Sequence, residues 1–116
     1  MKKLLLIVVL IFTSNIYSQL PKNGTYTYAI VFKEWNGMRG PNCIVIIKGN
    51  KIKIIHNGGN LSGKKGDVIE EGIIMKHKSG KWIIGHNESD RYVKEFGGCT
   101  GGPIEIDFKN KMVELC

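Results

Sequence analysis

CIVIIKGNKIKIIH, residues 43–56, decides the fold. Two runs of alternating β-branched residues flank Gly49-Asn50, and a pair of that type between strand-like runs predicts a tight antiparallel hairpin. The two-residue turn sets the register. Lys48 faces Lys51, and the next pairs are Ile47/Ile52, Val45/Ile54 and Cys43/His56, all on one apolar face.

The same signature extends in both directions. Upstream, GTYTYAIVF (24–32) puts Tyr26, Tyr28, Ile30 and Phe32 on one face, the alternation of a strand. EWNGMRGP (34–41) then reads as a loop. Downstream, GIIMKHK and KWIIGH flank Ser79-Gly80, and IEIDF and KMVELC flank Lys109-Asn110. The expected fold is therefore all-β, a small antiparallel meander closed into a barrel of seven to eight strands. SDRYVKEFGG (89–98) stands apart. Ser89 as N-cap, apolar residues at 92, 93 and 96 and a closing glycine predict one short helix near 90–96, with RYVKEF as an eighth strand the alternative.

The chain opens MKKLLLIVVLIFTSNIYSQ, two lysines before an apolar run and then a small residue at the end of a polar stretch. That is the order of a secretory signal peptide, expected to cover 1–18, and the run is about half of the ~20 residues that span a bilayer. Residues 19–116 then form a single β-barrel domain, secreted or periplasmic, with no membrane span left after cleavage. Its core is small enough that a covalent staple helps. Net charge is +7 for the chain, or +5 without Lys2 and Lys3. The lysines are scattered without a basic cluster or recognition motif, which argues against nucleic acid and leaves an anionic envelope component as a partner. Nothing in the sequence sets the oligomeric state.

In a seven-strand meander the tight turns lie at one end and the long loops 34–41, 57–67 and 87–103 at the other. With Lys78 facing Lys81, the second hairpin pairs His77/Trp82, Met75/Ile84 and Ile73/His86. All three histidines then face inward, with Cys43, His56 and His86 near the long-loop end and His77 about 13 Å away at strand rise. Cys43, His56 and His86 are accordingly the candidate metal ligands, for zinc or copper. The competing reading, in which inward histidines are hydrogen-bonded packing residues, implies no cofactor. A Cys43–His56 nucleophile pair lacks a third, orienting group. NGGNLSGKKG (57–66) imitates a phosphate-binding loop, but Lys65 replaces the required hydroxyl and a strand follows, so it reads as a flexible basic loop.

Tyr26, Tyr28, Phe32, Met75 and Trp82 either line an apolar cavity or fill it, since a barrel this narrow is about wide enough for its own side chains. Trp35, outside the strands beside Arg39, either closes the barrel end or is an exposed contact residue, since Trp and Arg are favoured at interfaces. Trp35, Arg39, Tyr28 and Trp82 are thus the candidate ligand-binding residues, for a small hydrophobic molecule or an envelope component. Of the three cysteines, Cys99 and Cys116 are brought together by the returning hairpin 104–116 and are the expected disulfide. Cys43 paired with either is the alternative.

The leader, the hairpins and the Gly-Gly-Cys-Thr-Gly-Gly segment together resemble small secreted bacterial β-barrel proteins of unknown function. The resemblance spans most of the chain after the leader and implies no catalytic motif. It is lipocalin-like only in architecture, which does not carry function. Three functions follow as expectations: a non-enzymatic barrel that binds at its long-loop end; a structural, interaction or inhibitor module acting through exposed loops around Trp35 and Lys64/Lys65; and a metal-binding or thiol-redox protein using Cys43.

Overall fold

The computed structural model describes residues 20–116, so the expected leader lies outside the described residues. Seven strands follow in chain order: β1 Gly24–Phe32, β2 Met38–Lys48, β3 Lys51–His56, β4 Val68–Lys76, β5 Trp82–Gly85, β6 Ile104–Asp107 and β7 Met112–Leu115. They close into a barrel in which each strand pairs antiparallel with the next. The closing seam differs from the expected all-antiparallel sheet, because β1 and β7 pair in parallel. Parity requires this: in an up-and-down meander the first and seventh strands run the same way.

The β2–β3 hairpin has the expected register, with Ile47↔Ile52, Val45↔Ile54 and Cys43↔His56. Gly49 supplies the left-handed residue of its turn (φ 63°), and its N–H donates to the Asn23 side chain at 2.7 Å. The barrel interior is built from Tyr28, Ile30, Cys43, Val45, Ile47, Ile52, Ile54, Ile74, Ile84, Ile106 and Val113. Aromatic rings fill it towards the tight-turn end. Phe108 meets Tyr28 edge-on at 6.4 Å and Trp82 at 6.1 Å, geometries favoured by the ring quadrupoles. Tyr28 is 2% exposed. Tyr28 is therefore a core residue and Trp82 is half-buried against the core, so neither of these two expected binding residues lines the groove at the long-loop end.

The second hairpin is displaced by one residue from its expected register. Lys76 faces Trp82, Ile74 faces Ile84 and Ile73 faces Gly85. Alternation did not specify the pairing, because both faces of this hairpin are buried: Ile74 and Ile84 inward, Met75 and Ile83 outward. His77 holds the wider turn. Its Nδ1 accepts the Ser79 N–H at 3.1 Å, so Nε2 carries the proton and donates to the Val93 carbonyl at 2.7 Å. The shift moves Met75 out of the interior and dissolves the expected Ile73/His86 pair.

The segment after β5 folds back along the barrel wall as a 3-10 turn, Glu88–Tyr92, followed by extended backbone at Val93. The expected helix over 90–96 does not form, and Asn87, not Ser89, is the cap. A helix needs its carbonyls for its own ladder. Here the Arg91 carbonyl accepts from Lys78 N–H at 2.9 Å and that of Val93 accepts from His77. Phe96 then stacks on the His77 ring at 4.2 Å.

Candidate functional site

The long-loop end carries a groove of about 640 Å³ between the start of β2 and the 57–67 loop. Phe32, Trp35, Met38, Arg39, Pro41 and Leu61 form its walls, with Asn60, Ser62 and Cys116 at its margin. The expected loop 34–41 is shorter than predicted, since β2 starts at Met38 and the link is a 3-10 turn at Lys33–Trp35. A bulge between Ala29 and Val31 re-registers β1 so that Val31 faces Arg39 and Phe32 faces Met38. Asn36 and Gly37 (φ 55° and 74°) then reverse the chain and leave Trp35 at the rim.

Trp35 is 55% exposed, and its ring lies 5.1 Å from that of Phe32. Gly40 makes room for Phe32, because a Cβ there would collide with the ring. Arg39 is exposed and makes no ion pair among the described residues. One side of the groove thus offers an aromatic face and a free guanidinium.

His56 builds the opposite side. Its Nδ1 accepts the Gly58 N–H at 2.9 Å, so Nε2 donates to the Leu61 carbonyl, 3.0 Å away. Its backbone bonds Asp67 O and Gly66 N, each at 2.8 Å. The imidazole is spent on folding the loop against Pro41, where a Cβ at Gly59 would come within 2.7 Å of the proline Cβ.

The expected metal set does not assemble. Cys43 and His56 face each other inside the barrel. The His86 ring lies at the surface, its side chain 56% exposed, with Nε2 3.0 Å from Glu70 Oε1. Its hydrogen bond to Glu70 raises the imidazole pKa, against a smaller opposing effect of burial. The Cys43 thiol is fully buried, and burial pushes its pKa up to about 11. That removes it as a reactive thiol, because the thiolate is the nucleophile and the ligand. Among the described residues, one group of three ligand-bearing side chains has its ligand atoms within 4.8 Å of one another: Glu34, Cys99 and Cys116. Sequence reasoning found the two cysteines, which form the expected disulfide with Cα atoms 4.6 Å apart. It missed Glu34, because nothing in a strand–loop pattern says where a 3-10 turn will aim a side chain. Pro41 and Leu61 were missed for the same reason, although both lie in or beside predicted long loops.

A second depression, about 450 Å³, lies on the outer wall among Ile46, Gly72 and Ile73 with Lys48, Lys51 and Lys53. Lys53 is paired with Glu71 at 3.7 Å. No helix among the described residues is long and apolar enough to cross a membrane. Comparisons with protein-family models, curated proteins and solved structures found no match to the chain.

Proposed function

We propose that the protein is an exported, non-enzymatic barrel that binds an anionic component of the cell envelope, a negatively charged glycan, in the groove at its long-loop end. One observation carries this reading: an exposed Trp35 ring and an unpaired Arg39 stand together on one wall of a concave surface. Sugar rings stack on indole through their apolar C–H faces, and a guanidinium pairs with carboxylate in a two-pronged geometry. Asn60 and Ser62 at the margin supply neutral hydrogen-bonding groups. Lys64 and Lys65, both exposed on the same loop, add positive charge nearby. The interior offers such a ligand little, since Tyr28, Trp82 and Phe108 occupy it.

The test is titration calorimetry of the oxidised chain with a short oligouronate and with its neutral methyl ester. Binding of the acid form weakens with salt, as expected for exposed charges. Trp35→Ala and Arg39→Gln each weaken it by about tenfold, roughly 1.4 kcal/mol, with melting temperatures unchanged because neither side chain is buried. Equal binding of acid and ester would overturn the anionic reading. Unaltered binding by Trp35→Ala would remove the groove as the site.

A further inference from the structure

The Glu34, Cys99 and Cys116 group draws on three distant parts of the chain. Glu34 sits on the turn after β1, Cys99 in the glycine-rich loop before β6, and Cys116 follows β7. Glu34 Oε2 lies 3.6 Å from Cys99 Sγ and 3.9 Å from Cys116 Sγ. In the oxidised chain these are plain contacts, since disulfide sulfurs carry no proton to donate. The geometry has a different match. In a tetrahedral zinc site with Zn–S near ~2.3 Å and Zn–O near ~2.1 Å, the S···O edges are about 3.6 Å and the S···S edge about 3.8 Å. Both S···O edges are already close to that length, so reduction has only to let the sulfurs part.

The surroundings allow that movement. Cys99 lies within Gly97-Gly98-Cys99-Thr100-Gly101-Gly102, where three glycines adopt positive φ. All three ligand-bearing residues are exposed, so a reductant and an ion reach them. Electrostatics point the same way. A carboxylate beside two cysteines opposes the thiolates formed on reduction, and a divalent cation reverses that effect. The Lys33 side chain passes beside Gly98, and its ammonium is paired with Glu114 at 3.9 Å.

We propose that Glu34, Cys99 and Cys116 form a zinc site that exists only when their disulfide is reduced, with water in the fourth position. An external dithiol supplies the two electrons and is itself oxidised to a disulfide, while each cysteine sulfur gains one proton. Zinc binding then displaces both protons as the thiols become thiolates. The proposal is independent of the glycan reading, because it needs no occupant in the groove.

The experiment uses the full chain from residue 19, reduced with a phosphine under anaerobic conditions and titrated with cobalt(II), followed by zinc displacement. The reduced chain binds one equivalent, with a near-ultraviolet thiolate-to-cobalt band of two-sulfur intensity and release of two protons. The oxidised chain shows no such band. Cys99→Ser halves the band or removes it, and Glu34→Gln weakens binding at least tenfold. Cys43→Ala leaves stoichiometry and band unchanged. Cobalt binding as tight in Glu34→Gln as in the parent overturns the proposal, whether or not the reduced chain stays folded, because two cysteines on a loose chain have no use for Glu34. Loss of intensity in Cys43→Ala overturns it as well.

Discussion

Burial decides the chemistry of Cys43. The side chain has no solvent exposure, and moving it from water costs the charged form far more than the neutral one. With the thiol pushed up to about 11, only about one part in a thousand is thiolate at pH 8. In the folded, oxidised chain Cys43 is therefore inert to aromatic disulfide reagents at that pH, and one thiol per chain reacts once denaturant is added. Rapid labelling of the native chain would show that the interior is open at this point. The inward position of Cys43 was legible, because Gly49-Asn50 fixes the pairing with His56. Its environment was not, since sequence alternation says which way a side chain points and not how its neighbours close over it. His86 shows the opposite error. Parity placed it with the inward Ile84, but β5 ends at Gly85, and His86 leaves the strand to bond Asp90 through its N–H and Glu70 through its ring.

Among the elements, the 86–103 segment departs most from expectation. Its cap and glycine signals were genuine, but they end a 3-10 turn because carbonyls 91 and 93 are committed to the β4–β5 hairpin. His77 is the fastener: buried, bonded at both ring nitrogens and stacked on Phe96. His77→Ala removes these interactions together and is expected to cost about 2–4 kcal/mol. Amide hydrogen exchange accelerates first across 87–96, while β1 to β3 stay protected. A uniform rise across the barrel would contradict the fastener role. The hairpins with one buried face were readable from sequence, and the β4–β5 hairpin with two was not. Period two specifies register only where the two faces differ.

On the scale of the whole molecule, strand count and connection length set the layout. Seven strands force a parallel seam, and at that seam β7 offers only four residues to β1. The Cys99–Cys116 disulfide follows the end of β7 and closes a loop of sequence separation 17, worth roughly 3 kcal/mol through the entropy of the unfolded chain. The same end of the barrel gathers the long loops, and so the groove, the disulfide and Glu34. The gathering of the long loops at one end was legible from strand parity alone, whereas Trp35 could equally have capped the barrel end, and its 55% exposure follows from the turn at Asn36-Gly37. The groove's walls were not legible, because they depend on a bulge in β1 and on His56 folding the 57–67 loop.

In the proposed function, ligand meets the rim and not the filled interior, and of the chain's two tryptophans Trp35 sits at the rim and Trp82 against the core. An NMR titration of the two indole N–H signals with a short oligouronate tests this directly. The Trp35 resonance is expected to move with saturation while that of Trp82 stays fixed, and a shift of Trp82 with Trp35 unmoved would contradict binding at the rim.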